Sequence, residues 1–122
     1  VGYKTNAFPG FYLTDSGYTL EHRVDSPAEI AAIIKARAAV GTLNKALVVA
    51  NPVVKEMNKA RHDEILKSGL EKAQKQGVVG KNVTPFLLEH FHTTSQGESL
   101  AINTEIIKAN CLLGAQIAVA LQ

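Results

Sequence analysis

The sequence lacks disulfide-forming cysteines, a long apolar run and an excess of charge. Its single cysteine, Cys111, cannot form an internal disulfide, which fits a reducing compartment such as the cytoplasm. No basic-then-apolar leader and no run of about eighteen apolar residues occurs, so neither export nor a membrane span is indicated. Thirteen basic and 11 acidic side chains give a net charge of +2, too small to indicate binding to nucleic acid or an anionic membrane.

The overall composition is typical of one soluble globular domain. The chain has 122 residues, of which 46% are hydrophobic and 20% are charged. Val1 stands where an initiator methionine is expected, and the residues after it have the character of a strand already under way. We therefore expect this chain to be the later part of a longer polypeptide.

The first half of the chain alternates β-favouring and helical patterns, which predicts an α/β fold. Residues 11–14 and 18–24 favour a hairpin around a turn at 15–17. The almost wholly apolar run 45–50, which ends at an Asn-Pro pair, predicts a strand buried on both faces of a parallel sheet.

Two helices are predicted in this part of the chain by their start and stop signals. Ser26 and Glu29 have capping-box spacing before a helix from Pro27 to about Val40, and Gly41 is suited to end it. A second helix is predicted from about residue 57 to 76. The residues expected on its inner face are Ile65, Leu66, Gly69, Leu70 and Ala73.

The last third, residues 84–121, is interpreted as two helices joined by a turn at Gly97. Thr84 and Ser99 are expected to cap them, because a hydroxyl can accept a free backbone N–H of the first turn. The final helix has an apolar stripe with helical spacing. Its expected members are Leu100, Asn103, Ile106, Ile107, Asn110, Leu113, Gly114, Ile117 and Leu121.

Two asparagines on this stripe are the strongest candidates for a polar site. Asn103 and Asn110 are seven residues apart, about two helical turns, so both carboxamides should project from the buried face. A buried carboxamide without a partner costs about 1–3 kcal/mol. For Asn103, ligand contact and structural hydrogen bonding both remain open, whereas structural bonding is favoured for Asn110.

The other reactive residues do not form a catalytic constellation. His90 and His92 should point about 200° apart on a helix, so they cannot share one metal ion. Cys111 is expected to be an inert core thiol, and Glu98 and Glu105 are expected to be surface residues.

Five short motifs follow one another along the chain. They are GYKTNAFPGF (2–11), RVDSPAEIA (23–31), ANPV (50–53), VTPFLL (83–88) and SLAIN (99–103), followed by Asn110. Taken in order, these motifs resemble the C-terminal part of the pseudouridine-5'-phosphate glycosidase family, which includes indigoidine synthase A-like proteins. The similarity extends over essentially all of residues 1–122, as the C-terminal portion of a single glycosidase domain.

The resemblance implies an α/β/α sandwich with a mixed sheet and covering helices, assembled as a homotrimer. It implies reversible cleavage of the carbon–carbon glycosidic bond of pseudouridine 5'-phosphate to uracil and ribose 5-phosphate, through an imine on a lysine and with Mn²⁺. The lysine, aspartate and glutamate of the family's motifs match nothing in this chain, so no catalytic residue or metal ligand is assigned to it. Asn103 matches the asparagine of the family's SLxxN motif, which implies a substrate-binding residue near the base.

The sequence also departs from the family pattern and leaves alternatives. Ala109 precedes Asn110 where many relatives have two asparagines, and Thr104 replaces an apolar residue. A non-catalytic truncated homologue that keeps this half of the fold for assembly is one alternative. Another is a different sugar-phosphate or nucleoside enzyme built on the same fold.

Overall fold

The structure, a computed structural model, describes all of residues 1–122. The helices and strands are β1 (Gly2–Tyr3), β2 (Arg23–Val24), α1 (Pro27–Ala39), α2 (Lys59–Lys75), α3 (Val83–Thr94) and α4 (Glu98–Leu121), with a single 3₁₀ turn (Gly80–Asn82) before α3.

The sheet consists of short parallel segments with β1 in the middle. β1 pairs with β2 on one side, and Gly2 forms a parallel bridge with Ala50 on the other. The Tyr3 N–H donates to the Ala50 carbonyl at 2.8 Å. The parallel pairing predicted for residues 45–50 is therefore confirmed at its end, but burial on both faces is wrong because Val48 is 62% exposed.

The predicted hairpin between residues 11–14 and 18–24 does not form. The turn is confirmed, with the Gly17 N–H donating to Asp15 Oδ1 at 2.7 Å, but the antiparallel bridge joins Ala7 to Thr19. Residues 12 and 13 instead leave the pairing and are buried. Packing of these two side chains against the helices outweighs their preference for a strand.

The helix signals in the middle of the chain are largely confirmed. Ser26 Oγ accepts the Glu29 N–H, α1 ends at Ala39, and Gly41 has the left-handed φ of 72°. α2 begins at Lys59, two residues later than predicted, because Asn58 Oδ1 accepts the Arg61 N–H at 3.1 Å.

Neither Thr84 nor Ser99 caps the helix it was predicted to cap. α3 begins at Val83 directly after the 3₁₀ turn, which places Thr84 inside its first turn. Gly97, with φ 88°, precedes α4, and the hydroxyl of Ser95 accepts the Ser99 N–H at 3.0 Å. Ser99 is buried instead of capping the helix.

α4 joins two apolar clusters. The first surrounds Ile102, and the second surrounds Leu113. The first contains Tyr12, Val53, Met57, Ile65, Phe91 and Ile102. The second contains Val24, Ile30 and Leu113, with side chains from β1, α1 and residues 47–49 packed around it. Because α4 belongs to both clusters, it fixes the α2–α3 pair relative to the sheet and α1.

Much of the apolar surface of α4 is not covered within this chain. Leu100 and Ile107, expected on the inner stripe, are exposed, and so is Cys111, which was expected in the core. The helices that α4 contacts are α1 and α3, so only a narrow side of it is covered. On α2, Leu70 is likewise exposed instead of inward.

By length and composition alone, α4 could also cross a membrane. The helix is 24 residues long and largely apolar, and little of it is buried within this chain. This finding differs from the expectation that no span is indicated, because the helix is long and apolar enough although polar residues interrupt its apolar run. One such helix is weak evidence for a membrane.

The contact between α2 and α3 provides a test of the packing. A Cβ on Gly69 would lie 2.8 Å from His90 Cδ2 and 2.9 Å from Leu87 Cδ2. His90 cannot move away freely, because its Nε2 lies 2.8 Å from the Ser68 hydroxyl. We predict that Gly69→Ala lowers the free energy of unfolding by about 1 kcal/mol, since overpacking exceeds the gain in helix propensity.

The matched control for this substitution is Gly114→Ala in α4, where an added Cβ meets nothing within 4 Å. Alanine there should leave stability unchanged or raise it by up to about 1 kcal/mol. Urea unfolding of both variants measures the difference. Equal effects of the two substitutions would contradict the packing of α3 on Gly69.

Candidate functional site

The segment 8–12 lies against the helices through the buried ring of Tyr12. This ring lies 5.1 Å from that of Phe91 and 6.5 Å from that of His62, measured between centroids. The Tyr12 carbonyl also accepts the Met57 N–H at 2.9 Å. The aromatic cluster and this backbone bond together fix the position of the segment relative to α2 and α3.

The hydroxyl end of Tyr12 lies beside α4. Burial raises the pKa of Tyr12, and the neighbouring Ser99 hydroxyl partly offsets that rise. Both side chains line one hollow of about 380 Å³. The hollow is lined by Tyr12, Pro85, Leu88, Glu89, His92, Ser99, Leu100 and Asn103.

Asn103 is the one carboxamide in this hollow. It is half-buried, and its side chain has no hydrogen-bond partner anywhere in the chain. The structural hydrogen bond considered for it is therefore absent. An unpaired donor and acceptor facing a hollow are free to bind a ligand.

Asn110 differs from Asn103 in having a protein partner. Asn51 Nδ2 donates to Asn110 Oδ1 at 3.0 Å, which agrees with the structural bond favoured from the sequence. Its predicted burial is wrong, because Asn110 is exposed. The bond connects α4 to the end of the segment that pairs with β1.

The segment 8–12 also contains an unusual backbone conformation. Phe11 has a φ of 64°, in the left-handed region that few residues other than glycine adopt. Its ring is partly exposed and meets the ring of Tyr12 edge-on, with 4.7 Å between centroids. This sharp turn of the backbone allows Tyr12 to be buried while the adjacent Phe11 faces outward.

The remaining candidates from the sequence are not brought together. His90 bonds to Ser68, while His92 lines the hollow beside Asn103. Glu105 pairs with Lys108 at 2.7 Å and Glu98 with Arg61 at 3.7 Å, as expected of surface carboxylates. No group of three or more histidine, cysteine, aspartate or glutamate side chains is placed to hold a metal ion.

Sequence reasoning did not identify Tyr12 or Ser99 as part of this site. The pattern around residue 12 indicated a strand, and Ser99 had the form of a helix cap. The signal that could have helped is the Pro-Gly-Phe-Tyr order at 9–12, because a proline and a glycine argue against an uninterrupted strand.

The fold of this chain matches those of two solved structures. The indigoidine synthase A-like protein from Thermotoga maritima superposes with a TM-score of 0.81 at 36% identity, covering 98% of this chain and 39% of that one. The prealnumycin C-glycosynthase AlnA, solved with ribulose 5-phosphate, superposes with a TM-score of 0.82 at 19% identity, which shows a shared fold alone. The α/β class predicted from the sequence is confirmed.

The family follows from the sequence comparison. The profile described as "Indigoidine synthase A like protein" matches residues 1–120, so this chain belongs to that family. It is 51% identical to the pseudouridine-5'-phosphate glycosidase of Salinispora tropica, over 98% of this chain and 38% of that protein. The corresponding protein of Fervidobacterium nodosum is 44% identical, over 100% of this chain and 42% of its own length. The chain thus spans about two fifths of these relatives.

The segment that positions the hollow is also held by a carboxylate, which gives a pH-dependent test. Glu56 Oε2 accepts the Thr14 hydroxyl at 2.6 Å and the Thr14 N–H at 2.8 Å. These bonds lower the pKa of Glu56 below its ordinary range. A lowered folded-state pKa contributes stability that is present above the unfolded value and is lost as the pH falls through the folded value.

We therefore predict that Glu56→Gln lowers the thermal midpoint at pH 7, and that the difference from the parent protein shrinks as the pH falls below the ordinary glutamate pKa of about 4.3 and through the lowered folded-state pKa. The matched control is Glu64→Gln, because Glu64 is exposed and makes no side-chain hydrogen bond. Thermal unfolding between pH 3 and 7 measures both. A difference for Glu56→Gln that stays constant across this range would contradict the role of the carboxylate.

Proposed function

We propose that this chain forms one wall of the substrate site of a pseudouridine-5'-phosphate glycosidase. Such an enzyme reversibly cleaves the carbon–carbon bond between uracil and ribose 5-phosphate. The observation that carries the proposal is Asn103, whose carboxamide is half-buried, unpaired and directed to a hollow of about 380 Å³. The curated relatives named for this activity support the choice of substrate.

The chemistry of Asn103 suits the base part of this substrate. Uracil presents an imide edge on which an N–H lies beside carbonyl oxygens. A carboxamide offers one acceptor and one donor to that edge. Tyr12 and Leu88 line the same hollow and provide apolar surface for the faces of the ring.

The catalytic groups of the proposed enzyme lie outside this chain. We assign the imine-forming lysine, and the aspartate and glutamate that assist it, to the three fifths of the family length that this chain does not span. The implied Mn²⁺ does not fit the residues present, because they bring no three suitable ligands together. Its ligands are therefore assigned to the same remaining part.

The exposed apolar surface of α4 supports assembly with that part. Leu112 and Val119 are exposed on this helix. Glu105 and Lys108, an ion pair at 2.7 Å, lie near the middle of α4, a position that favours a protein or aqueous neighbour over lipid. We propose a cytoplasmic homotrimer in which protein covers this surface.

A second candidate function is assembly without catalysis. The chain spans only about two fifths of its relatives and has a large exposed apolar surface, as expected for a homologue that associates with partner chains. The two candidate functions differ in whether uracil is released by the complete enzyme, meaning this chain together with the remaining part of the family length. Uracil is released if the chain belongs to a glycosidase and is not released if it serves assembly alone.

The role of Asn103 is tested in the complete enzyme. We predict that Asn103→Ala lowers kcat/KM for uracil release from pseudouridine 5'-phosphate by about 10- to 100-fold, because a hydrogen-bonded pair to the base is lost. Asn82→Ala, at an exposed asparagine whose side chain makes no capping bond, should leave the rate unchanged. An unchanged kcat/KM for Asn103→Ala, with the parent enzyme active, would refute the proposed contact.

A further inference from the structure

A second hollow lies on the same side of α4 as Asn103, one to two turns further along the helix. Its volume is about 390 Å³. It is lined by the segment Val48–Ala50, whose last residue pairs with β1, and by Asn51 directly after it. Ligands of open α/β sheets commonly bind at the carboxyl ends of the strands, where Asn51 lies. The residues on which the argument rests are Phe8, Phe11, Asn51, Ile106 and Asn110.

The polar part of this hollow is the bonded pair Asn51 and Asn110. Their mutual bond uses the Asn51 Nδ2 donor and the Asn110 Oδ1 acceptor. Asn51 Oδ1 and Asn110 Nδ2 have no partner elsewhere in the chain. The pair therefore holds its two carboxamides in fixed positions while leaving one acceptor and one donor free.

The apolar part of the hollow includes the strained residue Phe11. A left-handed backbone at a residue other than glycine costs about 1–3 kcal/mol and is frequent at ligand-binding sites. Phe11 is 47% exposed, so this conformation does not serve to bury its ring. It places the ring at the hollow that contains the carboxamide pair.

We propose that Asn51 and Asn110 bind hydroxyl groups of the ribose part of the substrate, with Phe11 covering its C–H face. The inference rests on the proposed function. Asn103 and Asn110 are about 10 Å apart along the helix, further than one pyrimidine ring can reach, so a base bound at Asn103 leaves Asn110 to the sugar.

The hollow suits sugar hydroxyls better than a phosphate group because no charged side chain lines it. None of its ten lining residues is lysine, arginine or histidine, so it has no cation to pair with a phosphate group. A free donor and a free acceptor match hydroxyl groups, which can both accept and donate. The phosphate is therefore expected to contact another part of the enzyme.

The test measures binding of two separate probes, uracil and ribose 5-phosphate, to the complete enzyme. Asn110→Asp keeps the acceptor for Asn51 but replaces the free donor, while Asn110→Ala removes both. We expect each variant to weaken ribose 5-phosphate binding by about three- to tenfold, the effect of one neutral hydrogen bond, and to leave uracil binding unchanged. Asn103→Ala should weaken uracil binding and leave ribose 5-phosphate binding unchanged.

The controls separate the inference from the proposed function. Asn82→Asp, which adds the same charge at an exposed residue that lines neither hollow, should bind both probes as the parent enzyme does. Weaker ribose 5-phosphate binding in Asn110→Asp alone would indicate charge repulsion and overturn the inference. Unchanged binding in both Asn110 variants, with uracil release intact, would also overturn it while leaving the proposed function standing. A parent enzyme that binds neither probe would overturn both.

Discussion

The burial of the Tyr12 ring holds the N-terminal segment against α2, α3 and α4. Tyr12 contacts the ring of Phe91 from α3, approaches His62 of α2 and lies beside Ser99 of α4, so one side chain connects three helices. Its backbone carbonyl adds a bond to Met57. Because Tyr12 is fixed in this way, Phe11 before it faces outward, and the two hollows along α4 have defined walls.

The distribution of polar groups along α4 follows from its packing between two clusters. Ile102 and Leu113 are buried in separate clusters, and the asparagines lie on the stretch that passes from one cluster to the other. Asn103 has no protein partner, whereas Asn110 is bonded to Asn51. The mostly apolar helix α4 thus carries one carboxamide at each of the two hollows.

Local signals in the sequence were sufficient for the helices, while contacts between distant segments were not predictable from them. Ser26, Glu29, Gly41 and Gly77 marked helix ends correctly, because their capping contacts are with neighbouring residues. Thr84 and Ser99 did not cap their helices, since α3 starts earlier at Val83 and Ser99 is buried. The hairpin at residues 11–24 was wrong because burial of Tyr12 depends on residues about 80 positions away. The helical spacing placed Asn103 on the apolar stripe and left its role open between a ligand and a structural bond, and the family motif then favoured a substrate contact.

We propose that this chain provides substrate contacts and that the reactive groups reside in the rest of the enzyme. This division of the enzyme can be tested by uracil release from pseudouridine 5'-phosphate with Mn²⁺, by this chain alone and by the complete enzyme, after the intact mass of each sample is recorded. We expect release by the complete enzyme and none by the chain alone. Comparable release by the chain alone, or no release by the complete enzyme, would show that the proposed division is wrong.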